Sequence, residues 1–251
     1  MQCPRIYTPE ALHSGTTISL PESAAIHVAR VLRLAAGDPI TLFDGSGVDH
    51  DATLGVVARS GVTAVVGTAR PGVGESPLAV TLLQGISRGP RMDTVMQKAT
   101  ELGVRAIQPV LTERSVVRLD GERAHARRIH WQRIVVSACE QCGRSTLPDV
   151  LTPATLDDVL ARLASGTVGF TLDPQGAGRV EALVGSAGSV ALAVGPEGGF
   201  TEAELGMLAT AGFRGLRLGP RIMRTETAPL AALAILQYAC GDLGPSRNLP
   251  P

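Results

Sequence analysis

The stretch SVALAVGPEGGFTEAEL, from Ser189 to Leu205, joins an apolar run to the start of a helix through three glycines. SVALAV has the length and composition of a buried strand. Thr201 and Glu204 form a capping box, which starts a helix directly after the loop, and Gly212 can end that helix. A strand, a glycine-rich loop and a helix in this order are typical of an α/β domain that binds ligands at its loops.

The loop GPEGG, from Gly195 to Gly199, differs from the known nucleotide loops. It has neither the lysine of GxxxxGK[ST] nor the spacing of GxGxxG, and Glu197 would repel a pyrophosphate. Because glycine leaves the backbone open, the loop suits a ligand that is neutral or cationic at the point of contact. A purely structural strand-to-helix turn is the alternative.

A second loop of the same design lies in GLRLGPRIMRTETAPLAALAILQYA, from Gly215 to Ala239. Thr225 or Thr227 can cap the helix that follows, and Pro229 is tolerated in its first turn. That helix is apolar on all sides, which indicates burial in the core or at a subunit interface. The two loops form one pocket if the strands before them are neighbours.

The rest of the chain has two textures. Up to Pro71, short β-like runs surround one helix in SAAIHVARVLRL, where His27, Arg30 and Arg33 are spaced to share one side. Residues 70–77, RPGVGESP, have the composition of a linker. Strands and helices then alternate, including a helix predicted over Gly121 to Cys142, which indicates a parallel sheet.

Composition is that of an ordinary globular protein, with 251 residues, 44% hydrophobic and 18% charged. No signal-like segment or long apolar run is present, so we expect a cytoplasmic protein. Cys139 and Cys142 form a CxxC on a predicted helix. Packing is favoured over zinc or redox chemistry because no further ligands follow nearby, and we expect no metal site.

Charge is segregated along the chain although the formal net charge is zero. Residues 84–133 hold ten Lys or Arg against five Asp or Glu, whereas residues 149–210 hold two Arg against eight acids. Clustered arginine suits a polyanion such as RNA, and a solvated helical face explains it as well.

Several stretches resemble one known family, the bacterial small-subunit rRNA uridine-N3 methyltransferases, a branch of the SPOUT methyltransferases. In family order, the matching stretches are HVARVLRLAAGD (His27 to Asp38), MDTVMQKATELGV (Met92 to Val104), ERS (Glu113 to Ser115), ACEQCGR (Ala138 to Arg144), GPEGGFTEAE (Gly195 to Glu204) and LGPRIMRTETA (Leu218 to Ala228).

The resemblance implies an α/β fold in which a PUA-like, RNA-binding β-barrel over residues 1–72 precedes a SPOUT α/β domain over residues 73–251 with a C-terminal trefoil knot. It implies a homodimer that uses S-adenosylmethionine to methylate N3 of a specific uridine in 16S rRNA, within the small ribosomal subunit and without DNA or membrane partners. By the same resemblance, the cofactor pocket is lined by Leu172, Pro174, Gly195, Pro196, Glu197, Gly198, Gly199, Leu218, Gly219, Ile222, Met223, Arg224, Thr227 and Ala228.

Methylation at N3 needs loss of the imide proton and stabilisation of charge on the flanking oxygens. We assign the electrostatic role to Arg224, with Glu226 orienting it or acting as base; a structural salt bridge is the alternative. Because N3 lies on the Watson–Crick edge, the uridine must be unpaired or flipped, which requires contacts to surrounding RNA. The candidates for phosphate contacts are His27, Arg30, Arg33, Arg88, Arg91, Arg114 and Arg118.

Two readings from other classes stay open on the residues alone. One is an RNA-binding protein of this fold without turnover. The other is a phosphate-dependent α/β enzyme, which Glu197 and the missing loop lysine disfavour.

Overall fold

A computed structural model of the chain describes residues 3–115, 119–176, 178 and 188–245. The chain forms two compact units. Unit one comprises Met1–Glu75 and Val136–Leu147, and unit two comprises Ser76–Val135 and Pro148–Pro251. The junction falls inside the predicted linker. Glu75 pairs with Arg144 in unit one, and Ser76 Oγ donates to Gln237 Oε1 at 2.5 Å in unit two.

The predicted domain boundary at residue 72 lies close to that junction, but unit one also takes up a segment from the second half of the chain. The assignment of residues 1–72 and 73–251 to a PUA-like and a SPOUT domain stays a prediction.

Unit one contains a mixed sheet in the order β1-β3-β4-β5-β2, in which β1 and β3 are parallel and the other pairs antiparallel. Its strands are β1 (Arg5–Tyr7), β2 (Thr17–Ser19), β3 (Pro39–Phe43), β4 (Val48–Ala58) and β5 (Gly61–Pro71). Along β4, buried Ala52 and Leu54 alternate with exposed Asp51 and Thr53, as expected for a sheet with one face on a core. In the described residues this sheet is open, with β1 and β2 at its edges.

The helix predicted in SAAIHVARVLRL divides into two parts. A short α-helix, α1 (Glu22–Ile26), continues as a π-helical turn over His27–Leu32, and Arg33 ends it in the left-handed region at φ 56°. Since π-helical hydrogen bonds run from i to i+5, residues three apart no longer share a face. The predicted single row of His27, Arg30 and Arg33 is therefore wrong.

Unit two contains a parallel sheet in the order β12-β10-β11-β6-β7-β8, with β9 also paired to β7. This confirms the predicted α/β architecture. Its strands are β6 (Ala79–Gly85), β7 (Ala106–Leu111), β8 (Asp149–Val150), β9 (Ala154–Thr155), β10 (Val168–Leu172), β11 (Ser189–Val194) and β12 (Arg214–Leu216). β11 is buried along nearly its whole length, because an interior parallel strand is covered on both faces.

The helices of unit two follow the strands as predicted. They are α2 (Pro90–Glu101), α3 (Gly121–Cys142), α4 (Leu156–Ala161), α5 (Glu202–Thr210) and α6 (Ala228–Cys240), and the last residues of α3, from Val136, belong to unit one. An apolar cluster containing Leu83, Val159 and Leu208 packs α4 and α5 on the sheet. Gln237 on α6 donates to the Gly103 carbonyl after α2 at 3.1 Å.

Two further findings concern the cysteine pair of α3 and the character of the helices. Cys139 is buried, which raises the pKa of its thiol to about 12, and no group of three or more metal-binding side chains occurs among the described residues. None of the described helices combines the length and apolar character that a membrane crossing needs.

Candidate functional site

A cleft of about 620 Å³ lies at the carboxyl end of the unit-two sheet. The loops that follow β10, β11 and β12 line it. The sequence predicts one pocket only if β11 and β12 are neighbours, but β10 lies between them and contributes Asp173 and Pro174. Thr225 Oγ1 donates to the Gly195 carbonyl at 2.8 Å and joins the two glycine loops directly. Parallel strands end at one edge, so all three loops meet there.

The GPEGG loop has no room for side chains at its entry. A Cβ on Gly195 would lie 2.8 Å from the backbone carbon of Gly199, and a Cβ on Gly85 would lie 2.5 Å from the nitrogen of Pro196. The loop therefore presses against the end of β6. Gly199 has φ +68°, and apart from its chain neighbours no atom of the described residues lies within 4 Å of the position that a Cβ would take there. This glycine lines the cleft, so its backbone is open to a ligand.

The ERS segment after β7 braces this loop. Arg114 Nη1 donates to the carbonyls of Gly198 and Phe200 at 2.9 and 3.2 Å. Glu204 accepts from the backbone N–H of Glu113 at 2.8 Å through one oxygen and from Thr201 N at 2.8 Å through the other. The capping box predicted at Thr201 and Glu204 is confirmed. Glu204 also anchors the neighbouring loop through the Glu113 N–H, and no local sequence pattern predicts this second contact.

Glu197 is held by groups from the start of α2. One carboxylate oxygen accepts from the backbone N–H of Arg88 at 3.0 Å and from Arg91 Nη1 at 2.9 Å. Burial by itself raises the pKa of Glu197, but these bonds and one from its own backbone N–H outweigh burial and hold the pKa below its usual value. Glu197 is thus an ionised wall of the cleft.

Glu226 lies between two arginines. Its Oε2 is 3.6 Å from Arg91 Nε, and its Oε1 is 4.0 Å from Arg224 Nη1. The Oε2 atom is buried and has no hydrogen-bond partner among the described residues. The Arg224 side chain is 81% exposed, so it is free to approach a ligand in the cleft.

The loop between β12 and α6 corrects one prediction. Thr227 occupies the N-cap position of α6 but makes no capping hydrogen bond, and Thr225 uses its hydroxyl on Gly195 instead. The prediction that Thr225 or Thr227 caps α6 with its side chain is therefore wrong, and the Thr225 hydroxyl binds the adjacent loop instead. Pro229 does lie in the first turn of α6.

The same loop offers unused donors. The backbone N–H groups of Gly219 and of residues 221–224 find no backbone acceptor among the described residues. Ile222 is 87% exposed at the cleft. An exposed apolar side chain beside such amides is suited to a flat ligand with acceptor atoms.

Nearly all residues predicted to bind a cofactor line the cleft; Thr227 does not. Residues that line it without having been predicted are Arg91, Asp173, Val194, Phe200, Leu205, Leu216, Arg217, Arg221, Thr225 and Glu226, of which Arg91 and Glu226 carried other predicted roles. Most of these are neighbours of predicted residues in the chain. Arg91 comes from α2, and only the fold brings it to the cleft.

The predicted phosphate contacts are dispersed. His27, Arg30 and Arg33 belong to unit one, whereas Arg88, Arg91 and Arg114 belong to unit two, and Arg118 lies outside the described residues. Arg91 and Arg114 are engaged with Glu197 and with the GPEGG loop. Their contact with phosphate stays a prediction.

Comparison with known proteins agrees with this geometry. The profile of the RNA methyltransferase domain family matches residues 74–237. The ribosomal RNA small subunit methyltransferase E of Buchnera aphidicola (strain Sg) is 31% identical, over 96% of this chain and 98% of the relative.

Two solved structures with bound cofactor are similar over almost the full chain. The ribosomal RNA small subunit methyltransferase E of Neisseria gonorrhoeae, bound to S-adenosyl methionine, is 43% identical with a TM-score of 0.89, covering 96% of this chain and 99% of that one. A Legionella pneumophila methyltransferase in complex with the same cofactor is 38% identical with a TM-score of 0.91, covering 97% and 100%.

Proposed function

The chain belongs to the ribosomal RNA small subunit methyltransferase E family, and we infer that it is an S-adenosylmethionine-dependent enzyme that methylates N3 of a uridine in 16S rRNA. The observation that carries this inference is the cleft. It joins an ionised, glycine-rich loop, a row of backbone amides without backbone acceptors and an arginine–glutamate pair at one edge of a parallel sheet, within the part of the chain that the structure describes.

The residues of the cleft fit S-adenosylmethionine. The open backbone at Gly199 and Gly219 leaves room for close approach, since the described part of the chain, next neighbours aside, has no atom within 4 Å of the Cβ position at either residue. Amides of residues 221–224 would bind acceptor atoms of the adenine or carboxylate, and Leu172, Leu218 and Met223 would cover apolar surface. Glu197 is acceptable beside a cationic ligand, whereas it would repel a nucleotide phosphate. When bound, this group supplies a methyl group on a cationic sulfur.

We propose that Arg224 and Glu226 carry the chemistry on uracil. Breaking the N3–H bond places the proton on an acceptor and leaves negative charge that N3 shares with the carbonyl oxygens O2 and O4. The carboxylate of Glu226, which lines the cleft, would take that proton. The exposed guanidinium of Arg224 can then stabilise charge on O2 or O4.

We propose that RNA is held by exposed arginines on both units. Arg30 and Arg33 of unit one, and Arg88 of unit two, have exposed side chains, which suits contact with phosphate. Activity should accordingly fall as salt is added.

The finer fold of the family also belongs to the proposal. Register shifts in the β4–β5 pair, and an apolar core formed by side chains of the sheet, support a PUA-like barrel in unit one. The loop before α6 is bonded to the loop after β11, and Gly176 after β10 lies directly on Gly215 of β12; both support a knotted C-terminal segment. We further propose a cytoplasmic homodimer that acts on the small ribosomal subunit.

Methyl transfer from labelled S-adenosylmethionine to small subunits that lack the modification tests the function. We expect label in 3-methyluridine, identified by the mass of the released nucleoside. Label in another nucleoside would support the proposed cofactor but show that the target is not N3 of uridine. Cofactor binding without any transfer would favour an RNA-binding protein that lacks turnover.

A further inference from the structure

Arg91, on the first turn of α2, contacts two carboxylates of the cleft. Its Nη1 lies 2.9 Å from Glu197 of the GPEGG loop, and its Nε lies 3.6 Å from Glu226 of the loop before α6. The two loops belong to different strands, so a single guanidinium from a third element spans them. The planar fork of arginine, with donors on separate nitrogens, permits this arrangement.

The neighbouring arginines do not share this geometry. Arg88 contacts Glu197 through its backbone N–H, and its side chain is exposed. Arg224 approaches Glu226 only to 4.0 Å with a side chain that is 81% exposed, against 41% for Arg91. Arg91 is thus the closest positive group to Glu226 among the described residues.

Without Arg91, Glu197 and Glu226 would lose the one cation that both of them contact among the described residues. Glu197 would keep the Arg88 amide, while the buried Oε2 of Glu226 would lose its nearest cation. A buried charge without a partner is costly. The guanidinium of Arg91 therefore compensates the charge of Glu226 and fixes its position relative to Glu197.

We propose that Arg91 is a positioning residue for methyl transfer, not a phosphate contact: it ties the GPEGG loop to the loop before α6 and neutralises Glu197 and Glu226. This inference rests on the proposed function. S-adenosylmethionine carries one more positive charge than S-adenosylhomocysteine, its demethylated product. A cleft that loses one positive charge should consequently favour the methylated form over the product.

The test compares Arg91→Ala with Arg88→Ala and with Arg105→Ala. Arg105 is exposed and precedes β7, so it lies at the amino end of the sheet, away from the cleft, and its replacement removes the same charge. Calorimetry without RNA gives the affinities for S-adenosylmethionine and S-adenosylhomocysteine, and the affinity ratio is the first divided by the second. We expect Arg91→Ala to raise this ratio about fivefold, as for one charge removed at a few ångströms from a partly solvated ligand. Arg88→Ala and Arg105→Ala should leave the ratio unchanged.

A second measurement separates positioning from phosphate contact. The log–log slope of RNA binding against salt should become shallower by about 0.7–0.9 in Arg88→Ala and stay unchanged in Arg91→Ala. An unchanged affinity ratio in Arg91→Ala, or a slope that falls as in Arg88→Ala, would overturn the proposal.

Two more variants guard against a folding defect. If Arg91→Ala melts far below the parent, Glu226→Gln and Arg91→Lys replace it. Glu226→Gln should lower the affinity ratio, because it removes a negative charge. Arg91→Lys should restore the ratio but only part of kcat, since an ammonium cannot span both carboxylates. Full recovery of kcat with lysine would contradict the bridging role. Wild-type protein that binds cofactor but does not methylate RNA would instead refute the proposed function, and the affinity ratios would still report on Arg91.

Discussion

Asp49 on β4 is the most heavily bonded carboxylate of unit one among the described residues, and it joins segments that are far apart in sequence. Arg5 Nη1 lies 2.7 Å from one of its oxygens, Ser145 Oγ donates to the other at 2.5 Å, and Arg70 Nη1 lies at 3.0 Å. Burial by itself raises the pKa of Asp49, but the bonds from Arg5 and Ser145 and the charges of both arginines hold it below the usual value.

Asp49→Asn should lower the free energy of unfolding by about 3 kcal/mol at pH 7, because it leaves the buried Arg5 charge without a counter-ion. The stabilisation from a carboxylate with a depressed pKa is present above its unfolded pKa of about 3.9 and is lost as pH falls through the folded value. Urea titrations of both proteins should therefore converge as pH drops below about 4. Asp51→Asn, at a site 66% exposed and paired only with Arg70 among the described residues, should cost less than about 1 kcal/mol. Equal losses at the two sites would contradict the account.

Arg224 makes a prediction about chemistry at the same scale. Its side chain is exposed and comes no closer than 4.0 Å to Glu226, so it contributes little to the structure of the loop. Arg224→Ala should lower kcat about 100-fold, as for the loss of one group that stabilises developing charge, and leave cofactor affinity within a few-fold. Single-turnover kinetics and calorimetry measure the two quantities. A collapse of cofactor binding would show that the arginine is a binding residue.

At the scale of elements, the strand–loop–helix unit of β11 and α5 depends on glycines with opposite requirements. Gly195 has no space for a Cβ, since backbone atoms of Gly199 and Phe200 lie within 2.9 Å of the position that it would take. At Gly206, within α5, no described atom beyond the helix's own backbone and the chain neighbours lies within 4 Å of that position. Packing therefore requires a glycine at position 195, whereas no contact of the described residues requires one at position 206.

Gly195→Ala should displace the loop and lower the affinity for S-adenosylmethionine at least tenfold, because the clash is with backbone that cannot rotate away. Gly206→Ala should leave that affinity unchanged and raise the free energy of unfolding by about 0.5–1 kcal/mol, the helix propensity difference. Calorimetry and thermal melts of both variants check this. Normal cofactor binding in Gly195→Ala would refute the close-packed loop.

At the scale of the whole molecule, α6 carries apolar side chains that unit two leaves exposed. Ile235 is 42% and Tyr238 is 63% exposed, while Leu233 and Leu236 on the same helix are fully buried. An apolar surface of this kind supports the proposed homodimer.

Sedimentation should accordingly give a dimer for the parent protein, and the double change Ile235→Asp and Tyr238→Asp should shift it to monomer at micromolar concentration. Val56→Asp, at an equally exposed apolar residue of unit one, should remain dimeric. A monomeric parent, or a double variant that stays dimeric, would remove this part of the proposal.

Much of the fold follows from local sequence. The predicted helix over Gly121 to Cys142, the strand SVALAV and the capping box at Thr201 and Glu204 are confirmed, because apolar periodicity, glycine and capping side chains act within a few residues. The π-turn at His27–Leu32 and the missing cap at Thr227 were not predicted. At the start of α6, the other candidate cap, Thr225, donates its hydroxyl to the Gly195 carbonyl, a contact with a distant loop that local sequence does not show.

The chain's own order of residues determined the parallel sheet, the two glycine loops and the residues that resemble a family, since these depend on side-chain type and spacing. Only the tertiary structure decided that β10 lies between β11 and β12, that Arg114 and Glu204 brace the GPEGG loop, and that Arg91 reaches both carboxylates. The physical reason is that strand order and cross-loop contacts join residues 22 to 135 positions apart in the chain, a separation over which no local propensity acts.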